Sequence, residues 1–216
     1  MNGETKILCI SASNRQYTEE TNSHKICKAI ISEAEKYLIN IKSEIVELKD
    51  YELSPCSDCP KHPDNNRCAI DDAFNQIYEK IIACDALFIV TPHYAPIPAK
   101  LMMLLEKMGV VVFRHRDGSY KSDVYDTPTA IISHGGNSAI INNEDALKRR
   151  KRVVNDPIAN GLITTQLKLI PFDDEWNTGI VLTPINDGAT DREILEEKLT
   201  EYIHKVIDNI IKINNA

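Results

Sequence analysis

The segment Asp85-Ala-Leu-Phe-Ile-Val-Thr-Pro-His-Tyr-Ala-Pro-Ile-Pro98 contains the pattern that decides the fold. It begins with an apolar run about as long as one buried strand, and a proline follows that run closely. The next stretch, 99–108, places leucines at 101, 104 and 105 and methionine at 108, the spacing of an amphipathic helix. A buried strand, a short loop with an aromatic side chain and a helix are typical of the ligand-binding edge of an open parallel sheet.

The same order of strand and helix recurs along the chain. The apolar patterns predict strands at 6–10, 42–48, 86–90, 128–133 and 166–171. They predict helices at 22–38, 71–83, 99–108, 144–159 and 191–213. Residues 109–113 could extend the third helix or form a short strand, and 173–188 has no periodic pattern. This alternation predicts an α/β fold: a doubly wound five-stranded parallel sheet, flavodoxin-like, with strand order 2-1-3-4-5.

The bulk composition fits an ordinary globular protein. The 216 residues are 43% hydrophobic and 26% charged, so we expect one domain over 1–216 with a cysteine-rich loop insertion at about 54–70. The net charge of -7 argues against nucleic acid or an anionic membrane as partner. The basic run Lys148-Arg-Arg-Lys-Arg152 is interpreted as a solvated helix face in preference to a phosphate or partner site.

The start of the chain shows no secretory signal, because a short polar lead is followed directly by the first strand. No apolar run approaches the roughly 20 residues of a membrane span. We therefore expect a cytoplasmic protein, in which the six cysteines would not form disulfides. Cys9, Cys27 and Cys84 lie in apolar strand or helix patterns and are predicted to be structural.

Three loops follow predicted strands one, three and four, at 11–23, 91–98 and 134–138. With strand order 2-1-3-4-5 all three meet at one edge of the sheet. The first loop offers hydroxyls and one guanidinium, from Ser13, Arg15 and Thr21-Asn-Ser23, where the amides of a helix begin. That combination favours an anion site, and the alternative is a well-capped helix after a polar loop.

These loops resemble those of the NAD(P)H-dependent FMN reductase superfamily and, within it, the iron–sulfur flavoproteins. Ala12-Ser-Asn-Arg15 and the cluster 21–23 stand where that family has G-S-P-R and a Ser/Thr/Asn group. Pro92-His-Tyr94 matches its P-x-Y, and Leu101–Lys107 its L-K-x-x-x-D-R helix motif. His134-Gly-Gly-Asn137 matches its glycine-rich loop, so the resemblance covers roughly 5–140.

The resemblance implies a site for FMN built by all three loops, with the phosphate held by Ser13, Arg15, Asn22 and Ser23. Beside the ring we expect His93 and Tyr94, and we assign no catalytic acid or base. The predicted FMN-binding residues are Ser11, Ser13, Arg15, Thr21, Asn22, Ser23, Pro92, His93, Tyr94, Ala95, Ile97, His134, Gly135, Gly136 and Asn137.

The turn-rich segment 54–68 contains Cys56, Cys59, His62 and Cys68, a compact set of soft ligands. The residues leave three interpretations open: an iron–sulfur cluster, a zinc ion, or thiols without a ligand. The compact cysteine motif of iron–sulfur flavoproteins is similar, with histidine here at the third position. That resemblance implies a [4Fe–4S] cluster on the three cysteines, with His62 as the fourth ligand.

The resemblance implies an FMN-dependent oxidoreductase that takes electrons from NAD(P)H or a ferredoxin. Its acceptor would be a small molecule: a quinone, a flavin, a nitro compound or an oxygen species. The alternative is an iron–sulfur flavoprotein electron carrier that relays electrons between partner proteins, and a third possibility is a binding module without cofactor. The T-x-T-G-x-T loop of flavodoxin carriers is absent. Relatives suggest a homodimer or homotetramer.

Overall fold

A computed structural model describes residues 4–17, 20–57, 59, 66–93, 96–113, 121–135, 143–183 and 197–214. A parallel sheet forms its centre, with strand order β2-β1-β3-β4-β5, as predicted. The strands are β1 (Thr5–Ser11), β2 (Ile41–Glu47), β3 (Ala86–Pro92), β4 (Pro128–His134), β5 (Lys168–Leu169) and β6 (Ile180–Val181).

Helices cover both faces of this sheet, as a doubly wound fold requires. They are α1 (Asn22–Tyr37), α2 (Asp72–Ile82), α3 (Ala99–Phe113), α4 (Glu144–Arg150), α5 (Asp156–Thr165) and α6 (Glu197–Asn214). A 3-10 turn, Leu48–Asp50, follows β2, and a π-helical turn, Lys151–Asn155, joins α4 to α5. Among the described residues no helix is long and apolar enough to cross a membrane.

The side chains of the central strands alternate between two cores. Leu8 and Ile10 face the core formed with α2, α3 and α5, while Ile7 and Cys9 face the core formed with α1 and α6. This alternation explains why β1 is apolar throughout: a parallel strand between two helical layers is buried on both faces. At roughly 25 cal/mol per Å² of apolar surface, these two cores supply the main driving force for folding.

The sixth strand, β6, is a correction to the predicted five-stranded sheet, because it lies within 173–188, which the sequence suggested to be irregular. It pairs with Ile132–Ser133 near the end of β4, whereas β5 pairs with Pro128–Thr129 at its start. Two short strands therefore share one edge of β4. Gly179 makes the approach feasible: a Cβ there would lie 2.2 Å from the Ile131 carbonyl oxygen. Two paired residues are too few to produce a recognisable period in the sequence.

Two helical predictions are also refined. Residues 109–113 continue α3, which ends at Phe113. The stretch predicted as one helix over 144–159 contains the π-helical turn, so α4 and α5 are separate elements. The last helix is observed over Glu197–Asn214, and its predicted start at 191 lies outside the described residues.

Candidate functional site

The carboxyl ends of β1, β3 and β4 lie side by side. Ser11 pairs with Val90, and Pro92 pairs with His134, so the strands end at nearly the same level. The His93 amide donates to the His134 carbonyl at 3.0 Å, which continues the pairing past the end of β3. The structure therefore brings the starts of all three predicted loops together at one sheet edge, as the strand order required.

Part of the predicted site can be examined residue by residue. Tyr94, Ala95, Gly136 and Asn137 lie outside the described residues, and so does His62. Pro92 is buried, His93 is exposed, and Ile97 packs partly buried against the core on the α2, α3 and α5 face. Gly135 has φ +98°, which lets the chain turn immediately after β4.

The first loop is dense in buried hydroxyls, and several already have protein partners. The Ser11 hydroxyl donates to Glu47 Oε2 at 3.0 Å. Thr21 Oγ1 accepts from the His24 amide at 3.2 Å and caps α1. These two side chains shape the loop and the helix start. Arg15 is exposed, and its amide donates to the buried Ser13 hydroxyl at 3.4 Å.

Glu47 is a site residue that sequence reasoning missed. It ends β2 directly opposite Ser11, and its second carboxylate oxygen is bonded to the His24 imidazole. The side chain is mostly buried, with 12% exposed. Its carboxylate therefore ties β1, β2 and the first turn of α1 together under the predicted phosphate loop. In the sequence, the position of Glu47 near the end of a predicted strand was the only pattern that could have pointed to it.

His134 connects the first and third loops. Its Nε2 and the Ser23 hydroxyl share a hydrogen bond of 2.8 Å, and both residues are buried. Burial, together with the positive charge of Arg150, lowers the pKa of His134 to about 3. The imidazole is therefore neutral at physiological pH. Burial and the same arginine also lower the pKa of His93.

The basic run 148–152 was predicted to be a solvated helix face, and this is wrong for Arg150, which is buried. Its side chain is only 4% exposed, whereas Arg149 and Arg152 are exposed as expected. Its Nη1 nitrogen is buried and has no hydrogen-bonding partner among the described residues. Burial lowers its pKa, although a guanidinium remains charged at any physiological pH. The π-helical turn begins at the next residue, and such turns are frequent at functional sites.

This edge of the sheet has the polar groups that FMN requires. FMN carries an anionic phosphate, a hydroxylated ribityl chain and a ring with donors and acceptors. Within the part of the chain that the structure describes, Asn14 Oδ1 in the first loop is buried with no hydrogen-bonding partner, and so is one nitrogen of Arg150. Buried polar groups in native proteins are nearly always paired, so unpaired ones at this edge fit a polar ligand.

The cysteine segment, which connects β2 to α2, forms a second feature. Cys56, Cys59 and Cys68 line one small cavity of about 20 Å³ together with Arg67 and Lys107. Within the described ranges, no group of three or more His, Cys, Asp or Glu side chains is arranged to hold a metal ion. The three thiols thus share a cavity with two cations, but they are not arranged there as a metal site.

Both ends of this segment are fixed to helices. At its start, the Cys56 amide donates to Glu106 Oε2 at 3.0 Å, and the Ser54 amide and hydroxyl donate to Asp71. At its end, Asn75 bonds both the amide and the carbonyl of Cys68, at 2.7 and 2.8 Å. The backbone on either side of the cavity is therefore held by α2 and α3.

A buried ion pair supports the start of the segment. Lys107 Nζ is bonded to Asp71 Oδ2 and lies 3.0 Å from the Ser54 hydroxyl. Burial would raise the pKa of Asp71, but hydrogen bonds from Lys107, the Phe74 amide and Ser54 outweigh it, and the pKa is lowered overall. Asp71 also caps α2. Removing either charge would leave the other buried without its partner.

Comparison with known proteins identifies relatives of this chain. The model of the family described as NADPH-dependent FMN reductase matches residues 5–149. An iron–sulfur flavoprotein of Methanosarcina thermophila is 31% identical over 132 residues, which cover 61% of this chain and 63% of the relative. An iron–sulfur flavoprotein of Methanocaldococcus jannaschii is 28% identical over 103 residues, 47% of this chain and 51% of the relative. The chain thus matches less than two thirds of the length of either relative.

Solved structures share the fold at low sequence identity. RosB, solved with the bound intermediate 8-demethyl-8-formylriboflavin 5'-phosphate, superposes with a TM-score of 0.63 at 15% identity, covering 98% of this chain and 81% of RosB. FerB of Paracoccus denitrificans, an NAD(P)H:acceptor oxidoreductase, gives a TM-score of 0.58 at 14% identity, covering 97% and 98%. These similarities support the flavodoxin-like architecture described above.

Proposed function

The chain belongs to the NADPH-dependent FMN reductase family, and from that membership we propose that it is an FMN-dependent oxidoreductase. The observation that carries the proposal is the meeting of three strand-end loops, after β1, β3 and β4, at one edge of the sheet. In open α/β sheets this edge, at the reversal of strand order, is where ligands bind.

The first loop would hold the FMN phosphate. Ser13 is buried in that loop, Arg15 can reach outward from it, and α1 begins at Asn22 with its amides directed toward the loop. The positive end of the helix dipole and a guanidinium together suit a phosphate dianion. Ser11 and Thr21 would act by fixing the loop, because their hydroxyls bond Glu47 and the His24 amide.

The ring would lie between the loop that starts at His93 and the loop that starts at Gly135. Bound FMN supplies the redox chemistry between an electron donor and an acceptor, and the protein supplies binding, orientation and charge. With its pKa at about 3, His134 does not donate a proton near neutral pH. It would instead position Ser23 and the start of the glycine-rich loop through their shared hydrogen bond.

The electron donor in this proposal is NAD(P)H or a ferredoxin, and the acceptor is a quinone, free flavin, nitro compound or oxygen species. The test is steady-state oxidation of NADH and of NADPH by the purified yellow protein, with menadione and with free FMN as acceptors. Appreciable turnover supports the reductase. A flavin-loaded protein that turns over with neither nucleotide would exclude NAD(P)H as the donor, and a colourless protein that binds no FMN would remove the cofactor assignment.

A second candidate function is an iron–sulfur flavoprotein electron carrier. It is supported by the cavity that Cys56, Cys59 and Cys68 line together. These three thiolates would hold a [4Fe–4S] cluster, with His62 proposed as the fourth ligand. Such a cluster would transfer single electrons. Zinc and unligated thiols remain the alternatives, since the described residues show no arranged metal site.

Anaerobic reconstitution with iron and sulfide, followed by EPR of the reduced protein, tests the cluster. A cluster signal that is lost in Cys59→Ser and kept in Cys84→Ser, a buried thiol elsewhere, supports the assignment. Absence of any signal in the wild-type protein excludes it. An unchanged signal in His62→Ala would exclude only the fourth ligand. Reduction by ferredoxin without NAD(P)H turnover would favour the carrier over the reductase.

We also propose that residues 1–216 act as one FMN-binding domain with the cysteine segment as an insertion, and that the chain assembles as a homodimer or homotetramer. Light scattering on the purified protein measures the assembly directly. A monomer at micromolar concentration would contradict that part of the proposal and leave the cofactor assignment untouched.

A further inference from the structure

We propose that Arg150 is an anion-binding residue of the flavin site, whose buried guanidinium pairs with a negatively charged group of bound FMN. This inference rests on the proposed function, because it assumes that FMN occupies the edge formed by β1, β3 and β4. It goes beyond the three loops from which that site was predicted, since Arg150 lies at the end of α4.

The position of Arg150 follows from the packing of its neighbours. The π-helical turn that begins at Lys151 packs against β4 and β6, and α4 also contacts β6. Because β6 pairs with Ile132–Ser133, this packing brings the end of α4 to the carboxyl end of β4. Burial and the charge of Arg150 lower the pKa of both His93 and His134, so the guanidinium acts on one residue of the second loop and one of the third.

The charge of Arg150 lacks the compensation that buried cations normally have. Among the described residues, Nη1 has no hydrogen-bonding partner and Arg150 forms no ion pair with a carboxylate. Two acids of the same helical segment are paired with other residues: Glu144 with Lys148, and Asp156 with Lys151 and the Thr178 hydroxyl. A buried cation without a partner destabilises a protein, and perturbed ionisable groups cluster at functional sites.

The rest of the basic run provides a contrast on the same helical segment. Arg149 and Arg152 are exposed, and Lys148 pairs with Glu144 and Glu175 at the surface. Solvent screens those charges. A buried charge interacts more strongly with its neighbours, because the effective dielectric constant around it is lower. Arg150 therefore differs from the flanking arginines in the property that an anion site requires.

Two parts of FMN carry suitable negative charge. One is the 5'-phosphate, and the other is the pyrimidine edge of the ring, which becomes negative on reduction. Both would accept charge-assisted hydrogen bonds from a guanidinium. Riboflavin shares the ring and lacks the phosphate, so a comparison of the two ligands separates these sources.

The experiment measures binding of FMN and riboflavin by flavin fluorescence to the wild-type chain and to Arg150→Met, with Arg149→Met as the matched surface control. We expect Arg150→Met to weaken FMN binding by about ten- to a hundredfold. Arg149→Met should bind like the wild type. The thermal midpoint without flavin should stay the same or rise in Arg150→Met, because a buried unpaired charge is removed.

The pattern across ligands identifies the group that Arg150 binds. A loss for FMN with riboflavin unchanged assigns the phosphate. An equal loss of affinity for FMN and riboflavin assigns the ring. A lowered midpoint potential of the bound flavin also assigns the ring, and it should fall by about 30 mV for each tenfold loss in preference for the two-electron reduced form. Unchanged binding and potential in Arg150→Met overturn the inference, and so would an equal effect in Arg149→Met. Arg150→Gln, neutral and polar, replaces Arg150→Met if the latter does not fold. If the wild-type chain itself binds no FMN, the proposed function has failed instead.

Discussion

The imidazole of His134 and the hydroxyl of Ser23 share a hydrogen bond of 2.8 Å across 111 residues of sequence. The bond joins the carboxyl end of β4 to the first turn of α1, the two elements that flank the proposed phosphate and ring positions. Both residues are buried, and the histidine is kept neutral there by burial and by Arg150. Two of the three loops of the site are therefore held together by one uncharged polar contact.

The burial of His134 beside the charge of Arg150 makes stability depend on pH. Folded His134 has a pKa of about 3, and an unfolded histidine has about 6.5, so between these values the unfolded chain binds more protons. The unfolding free energy should fall as the pH drops below 6.5, by up to about 1.4 kcal/mol per pH unit from this residue. Urea unfolding of the wild type and His134→Gln from pH 7 to 4.5 measures it: the variant should lose less. Parallel curves would contradict the assignment.

Arg15 should contribute to phosphate binding, because it is the cation of the first loop. Arg15→Ala removes a charge-assisted contact and should weaken FMN binding by about 1.5–3 kcal/mol, with riboflavin unaffected. Lys36→Ala, at the exposed end of α1 far from the loop, is the control for loss of one positive charge. Equal FMN affinity of Arg15→Ala and wild type would place the phosphate elsewhere.

The ion pair of Lys107 and Asp71 should be important for stability. Lys107→Met leaves the Asp71 carboxylate buried without its partner and should lower the unfolding free energy by about 3–5 kcal/mol. Asp71→Asn should lower the unfolding free energy less in the Lys107→Met variant than in the wild type, because the two side chains are coupled. Urea denaturation of both single variants and the double variant gives the coupling. Additive effects would show that the pair is not coupled.

The six cysteines should divide into two classes of reactivity. Cys9, Cys27 and Cys84 are buried, as predicted, and Cys56, Cys59 and Cys68 are partly exposed. Burial raises the pKa of Cys84 to about 12 and that of Cys27 well above its usual value, which further reduces the reactive thiolate. A thiol reagent should modify three residues in the native protein and all six after unfolding. Rapid native labelling of Cys9 would contradict the burial of β1.

The sequence determined the architecture because strongly apolar strands and amphipathic helices produce long periodic patterns. The run 86–90 and the spacing of Leu101, Leu104 and Leu105 predicted β3 and α3 correctly. The predicted strand order also placed the starts of three loops at one edge of the sheet, as observed. Strand order then follows from few physical rules, since connections are right-handed and parallel strands need covered faces.

Other features were decided only by tertiary structure. β6 is two residues long and forms because β4 offers an edge, and Gly179 allows that approach. Glu47 meets Ser11 through strand pairing, which local sequence does not encode. Arg150 stands among solvated basic residues and is buried because the π-helical turn and β6 surround the end of α4. Periodicity reports which face of an element is apolar, whereas the partner of a single polar side chain depends on how distant elements pack.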